Sequence, residues 1–219
     1  MITALPFDSN IFNYPVGKIV VEDKWDEQDF LKTVKDFQLV YIFSSKALDI
    51  SSPSIQHVDT KVTFQKSLES IEKVNGIESY KSDEFSERLE ELAYLSGTFS
   101  RFKTDTRLKN GEFQKLYKQW IIKAIESKQV LVGINMEGMI TYSLEKEHAK
   151  IGLIAVSESH QGLGVGKKLV RAAEYICQLE GAQEMQIPTQ ESNIPACKLY
   201  ESLGYHVAEK VYIYHWYKD

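Results

Sequence analysis

The sequence predicts an α/β fold in which a mixed, mostly antiparallel sheet is flanked by helices, with a small α/β domain at the N-terminus. Three observations carry this. Strand-like runs at 130–134, 138–144 and 149–156 follow one another across short turns such as Glu137-Gly138. The last run leads through a glycine-rich turn into an amphipathic stretch ending near Glu180. Before all of these, strand and helix signals alternate over the first 65 residues, as in a small βαβ unit.

In chain order, 17–21 and 39–43 read as short strands, 26–37 as the helix between them and 57–65 as a third strand. The polar stretch 69–76 is the expected boundary, giving residues 1–75 as an N-terminal domain and 76–219 as the main one. The smaller piece could bury little surface alone and should pack on the larger. Residues 83–95 are helical by charge and leucine spacing, and Ser96-Gly97-Thr98 breaks them. A loop at 100–108 follows. Residues 112–126 form a second helix, because Phe113, Leu116, Trp120, Ile121 and Ala124 recur at three and four. Beyond the glycine turn, 184–188 reads as a strand. Asn193 opens another helix with Pro195 in its first turn, and Gly204 ends it. Strands at 205–208 and 211–217 close the chain.

The glycine turn carries the chemistry. A strand, glycines and a helix N-terminus in that order cradle phosphate, since glycines admit close backbone approach and the helix supplies unsatisfied donors and a positive dipole end. A P-loop would need Lys-Ser or Lys-Thr after its second glycine, and here Lys167-Lys168 follows Gly166. A dinucleotide fingerprint needs Gly-x-Gly-x-x-Gly, whereas these glycines run Gly162-x-Gly164-x-Gly166. The run does fit Gln-x-x-Gly-x-Gly from Gln161 to Gly166 and so resembles the pyrophosphate signature of the GCN5-related N-acetyltransferases.

That resemblance implies the superfamily's acyl-CoA N-acyltransferase fold, whose element order matches the one above, and acetyl-CoA as acetyl donor. It also implies coenzyme contacts from Ile154, Ala155, Val156, Gln161, Gly162, Leu163, Gly164, Val165, Gly166 and Lys167. A backbone N–H of the preceding strand, that of Ala155 or Val156, would polarise the thioester carbonyl. Asn193 and Tyr200, seven residues apart, project from nearly the same side of their helix. They match the superfamily's asparagine at the pantetheine arm and its tyrosine acid. A phenol can hydrogen-bond the departing thiolate and deliver a proton to it. Tyr200 could equally be a core aromatic beside Leu199 and Leu203, and Lys167, Lys168 and Arg171 either phosphate contacts or a solvated face. Cys197, near the same face, has no histidine close in sequence to activate it. Cys177 reads as packing. No His, Cys or carboxylate cluster at metal spacing occurs, so no metal is expected.

Composition fits a cytoplasmic enzyme: 219 residues, 43% hydrophobic, two cysteines and a formal net charge of -5. The acidic balance argues against nucleic acid as a partner. Without a long apolar span, membrane insertion is not expected.

A second resemblance covers most of the chain. Residues 5–12 (LPFDSNIF), 100–105 (SRFKTD) and 116–121 (LYKQWI) look like the dTDP-fucosamine acetyltransferases, which carry a similar N-terminal domain. It implies a nucleotide-linked amino sugar as the small-molecule acceptor, for surface polysaccharide synthesis, with Arg101, Phe102, Asp105 and Tyr117 at the acceptor. The cations around Phe102 suit a nucleotide base and diphosphate. For the amine's proton the sequence offers Glu158, Asp105, His148, His160 and His206 without choosing, and a water relay is the default. A protein N-terminus or a small amine is the alternative acceptor, and a noncatalytic acyl-CoA sensor the alternative class. The aromatic end, Tyr212, Tyr214, Trp216 and Tyr217, could pair with a second subunit in a homodimer or pack inside.

Overall fold

A computed structural model describes residues 1–22, 24–69, 72–82 and 84–218. Among the described residues, ten strands form a single mixed sheet in the order β1-β2-β3-β10-β4-β9-β8-β7-β6-β5. The chain enters it through β1 (Thr3–Ala4), α1 (Pro6–Phe12), β2 (Val16–Val21), α2 (Glu27–Thr33) and β3 (Leu39–Ser44). β2 and β3 run parallel with α2 as their crossover, the expected βαβ arrangement. α2 is shorter than expected. Asp26 caps it, accepting from the Asp29 N–H at 2.9 Å, but after Thr33 the chain turns, with Phe37 N–H donating to the Val34 carbonyl. Helix α1, read in the sequence only as a motif, starts with proline in its first turn.

β4 (Ile55–Ser67) is a long strand with β10 (His206–Tyr217) on one side and β9 (Glu184–Gln190) on the other. The expected boundary at 69–76 thus falls in a sheet continuous through both sides of it; Ser70 and Ile71 within it lie outside the described residues. β5 (Ile77–Ser79) is a short edge strand, followed by α3 (Glu87–Ser96), α4 (Arg101–Thr104) and α5 (Glu112–Glu126). The expected start of α3, Asp83, lies outside the described residues. Residues 100–108 are not wholly loop: the Ser100 hydroxyl accepts from Phe102 N–H at 3.2 Å and caps the single turn α4. Then come β6 (Val130–Gly133), β7 (Gly138–Glu145), β8 (His148–Val156), α6 (Val165–Leu179), β9, α7 (Ile194–Ser202) and β10.

The two expected final strands are one. A register shift between Val207 and Glu209 absorbs the polar interruption as a β-bulge, and a second, between Ile213 and Tyr214, passes over Val58 of β4. Residues 212–217 pair with β3 on one edge and residues 55–60 of β4 on the other, so the aromatic end packs inside.

Helices cover both faces. α6 and α7 bury Leu169, Ala173, Cys177 and Tyr200 against Phe64, Ile140, Ile151 and Ile187. α1, α3, α4 and α5 cover the opposite face through Phe12, Leu92, Phe102 and Leu116 against Tyr41, Met139 and Leu153. Residues 39–42 are buried throughout, because Leu39 and Tyr41 face the layer that holds α1 and α4 while Val40 and Ile42 face α2. Glu174 of α6 accepts from Lys66 Nζ at 2.9 Å and from the Tyr205 hydroxyl at 2.8 Å, tying α6 to β4 and to the start of β10.

Candidate active site

β8 and β9 are neighbours at one end only. His148, Ala149 and Lys150 pair in parallel with Glu184, Met185 and Gln186, and there the ladder stops. Beyond it β8 stays with β7 and β9 with β4, so a wedge opens between them. Which backbone groups line this wedge follows from strand alternation. Leu153 N–H donates to Thr141 Oγ1 and Ser157 N–H to the Glu137 carbonyl, each at 2.8 Å on the β7 side. Ala155 therefore also faces β7, and the N–H groups of Ile154 and Val156 face the wedge. Of the two amides expected to polarise a carbonyl, Val156 is the one so placed.

The glycine loop closes one end. Gln161 Nε2 donates to the Val156 carbonyl at 3.1 Å and ties the loop to the strand. Gly162 and Gly164 have φ of 77° and 80°, with no atom within 4 Å of where a Cβ would stand, so the dihedral and not crowding demands glycine. Gly166 differs: a Cβ there would come within 3.3 Å of Leu199 Cδ2, so it permits close approach of α6 to α7. Lys168 N–H is the first in α6 to reach a helical carbonyl, that of Gly164. No side chain caps α6 among the described residues, so the N–H groups of Val165, Gly166 and Lys167 point out of its N-terminus toward the wedge. A diphosphate fits this set of donors.

α7 forms the facing wall. Asn193 Oδ1 caps the helix, accepting from Ala196 N–H at 3.3 Å. Tyr200 is 2% exposed, with its ring edge-on to Phe64 at 5.5 Å. Its hydroxyl makes no hydrogen bond among the described residues. Burial, with Cys197 as the lesser cause, raises the phenol's pKa, so it remains a donor. Burial likewise raises the Cys197 thiol, the opposite of what a nucleophile needs, and its sulfur contacts the Gln190 carbonyl. Cys177 is buried and pushed up to about 12.

Wedge and loop open into a cavity of about 1200 Å³. Its walls include Ile154, Ala155, Val156, Gln161, Gly162, Gly164, Val165, Gly166, Lys167, Asn193 and Tyr200. Leu163 points to solvent, 68% exposed, and Lys168 and Arg171 are not part of the wall. The same cavity is also lined by Asp59, Lys61, Arg101, Phe102, Tyr117 and Trp120. Arg101 lies 4.3 Å from the Phe102 ring centroid and 5.1 Å from that of Tyr41. It has no ion-pair partner among the described residues, and its buried Nε has no hydrogen-bond partner. The N-terminal motif meets it there, since Tyr41 donates to Asp8 Oδ2 at 2.9 Å and Phe12 packs on Phe102.

Asp105, expected at the acceptor, is held elsewhere. It accepts from Arg107 Nε at 3.0 Å and Nη2 at 2.9 Å and lies 2.8 Å from His215 Nδ1, outside the cavity wall. Burial works to raise its pKa, but the hydrogen bonds from His215 and Arg107 outweigh it and hold the carboxyl well below the usual range. His215, fully buried, is pushed down to about 4 by burial and by Arg101 and Arg107, against the pull of Asp105. Of the other proton acceptors considered, Glu158 and His160 line the cavity mouth, His160 Nδ1 lying 2.9 Å from both Ser157 and Ser159 hydroxyls. His148 lies by Glu184 at the paired end of β8, and His206 is exposed on β10. Neither lines the cavity.

Sequence reasoning missed Asp59. It lies in β4, 8% exposed, and burial raises its carboxyl to about 6 against the opposing pull of Arg101, the Thr60 N–H and Lys61. The signal was present: alternation in 59–63 places Asp59, Lys61 and Thr63 on one face, a polar and charged face on what proves an interior strand. Among the described residues no group of three or more His, Cys, Asp or Glu could hold a metal, and no helix is long and apolar enough to cross a membrane.

Residues 86–205 match the family described as Acetyltransferase (GNAT) family. N-alpha-acetyltransferase 30 of Saccharomyces cerevisiae is 34% identical over 65 residues, 30% of this chain and 37% of that protein. Mycothiol acetyltransferase of Corynebacterium glutamicum is 29% identical over 82 residues, 36% of this chain and 28% of that protein. The matches thus span under two fifths of those relatives' lengths. The PaiA N-acetyltransferase of Thermoplasma acidophilum, solved in complex with coenzyme A, superposes with a TM-score of 0.51 at 19% identity, covering 65% of this chain and 99% of that one.

Proposed function

The chain belongs to the acetyltransferase (GNAT) family, and from that premise we propose that it transfers the acetyl group of acetyl-CoA directly to a primary amine on a nucleotide-linked amino sugar, of the dTDP-fucosamine kind, in surface polysaccharide synthesis. The observation that carries the transfer is the β8–β9 wedge, with the uncapped N-terminus of α6 at one end and the buried Tyr200 phenol on its wall. Acetyl-CoA supplies a thioester as the activated acyl group. The amides of Val165, Gly166 and Lys167 hold its diphosphate, and the Val156 N–H polarises the carbonyl, where negative charge develops in the transition state. Tyr200 gives its proton to the leaving sulfur.

The acceptor rests on Arg101. An unpaired guanidinium on a cavity wall, stacked on Phe102 and Tyr41, suits an anionic acceptor, and a nucleoside diphosphate offers both phosphate and a flat base. A second reading, a peptide N-terminus, is favoured by the Saccharomyces relative's name. The deciding experiment incubates the protein with acetyl-CoA and dTDP- and UDP-linked amino sugars, beside peptide and spermidine controls, following free thiol and product mass. An acetylated dTDP-amino sugar is expected; thiol release with peptides alone would replace the sugar reading by the second.

A further inference from the structure

We infer that Asp59 is the base that takes the proton from the acceptor's ammonium group. The inference rests on the acetyl-transfer reading above and extends it to a residue of the N-terminal part of the chain.

Asp59 stands on β4 just past the end of the β4–β9 ladder, whose last pair is Lys61 with Gln190. It shares the cavity wall with Tyr200, so a carboxylate and a phenol face one space. Carboxylates are rarely buried unpaired. Asp59 nevertheless has no ion pair among the described residues; its one hydrogen bond is from the Thr60 N–H. The charged and titratable groups acting on it there are Arg101 from α4, Lys61 from its own strand and Tyr117 from α5. Lys61 is engaged by Glu209 at 2.9 Å, and Arg101 lies over aromatic rings. An ammonium ion entering the cavity would supply the missing partner. The rival carboxylate, Asp105, is saturated by Arg107 and His215. Burial lifts Asp59 to about 6, which leaves it ionised at neutral pH and a better base than a solvated aspartate.

The proton balance is complete. The acceptor arrives as R–NH3⁺ and Asp59 takes one proton, later released to water. The neutral nitrogen attacks the thioester carbonyl carbon, forming the C–N bond, and the C–S bond breaks as the tetrahedral oxyanion collapses. Sulfur leaves with the Tyr200 proton, and the second nitrogen proton returns to Tyr200 through cavity water. The sum is amide, coenzyme A thiol and one H⁺.

Two small amines test this: methylamine, protonated at neutral pH, and hydroxylamine, largely neutral there and so in no need of a base. Asp59→Asn should cut methylamine turnover by ~10²-fold and hydroxylamine turnover by less than ~3-fold, with coenzyme A affinity unchanged. With methylamine, wild-type kcat/KM should level off above pH ~7, whereas the variant should keep rising about tenfold per pH unit, following the free amine. Carbon-13 NMR should show the Asp59 carboxyl titrating near 6. Equal losses with both amines, no loss with methylamine, or a carboxyl titrating at the ordinary aspartate value would overturn the inference alone. A wild-type protein releasing thiol with neither amine would overturn the acetyl-transfer reading first, and this inference with it.

Discussion

Replacing Tyr200 by Phe separates chemistry from packing at the wall of the wedge. The ring is 2% exposed and lies 5.5 Å from Phe64 and 6.3 Å from Tyr205, contacts a phenylalanine keeps in full. Its oxygen makes no hydrogen bond among the described residues, so the substitution removes no bond within the protein. Stability should therefore hold within ~1 kcal/mol, a Tm shift of at most about 4 °C either way. Turnover should fall by ~10²- to 10⁴-fold, the usual contribution of a positioned acid, or about 3–5 kcal/mol of transition-state stabilisation. Thiol release under single and multiple turnover, with coenzyme A affinity from calorimetry, gives both halves. Turnover within ~3-fold of wild type would remove the acid role. A loss of turnover matched by an equal loss of stability would make Tyr200 a packing residue only.

Other substitutions probe the remaining parts of the site. Gly164→Ala places a Cβ at φ 80° and should cost ~1–2 kcal/mol, read as a lower urea midpoint together with weaker coenzyme A binding. Arg101→Gln should raise KM for a nucleotide-linked amine by ~10-fold or more and change KM for methylamine far less, because only the former carries an anion to lose. Acid should weaken the fold through His215. Its folded value near 4 lies below the ordinary 6.5, so the unfolded chain protonates first, and stability present above ~6.5 drains away as pH falls toward 4. Asp59, raised to about 6, works in the opposite direction over the same window, so urea midpoints measured stepwise should fall more steeply with acid in wild type than in His215→Gln, and that difference isolates His215.

What could be read in the sequence was what is local. Gly162 and Gly164 announce themselves because a left-handed dihedral is a property of one residue, and Asn193 because a cap just ahead of Pro195 is set within one turn. The choice of Val156 over Ala155 needed the register of β8 on β7, which no spacing encodes. Asp105 was misleading for a similar reason: its partner His215 lies 110 residues away, and only the fold shows that the carboxylate is already engaged. Asp59 stayed hidden because β4 was read as part of a separate small unit, whereas its burial comes from β10 and α4. The merged β10 follows the same rule, since a bulge and a turn look alike in sequence and differ only when both neighbouring strands are in place.

The central claim is that coenzyme binds in the β8–β9 wedge with its diphosphate on α6, and backbone amide NMR tests it most directly. On titration with coenzyme A, the N–H resonances of Val165, Gly166 and Lys167 should shift downfield as they gain hydrogen bonds, accompanied by those of Ile154 and Val156, while Ala155, turned toward β7, moves little. Saturable binding that leaves these amides in place and shifts residues elsewhere would contradict the account.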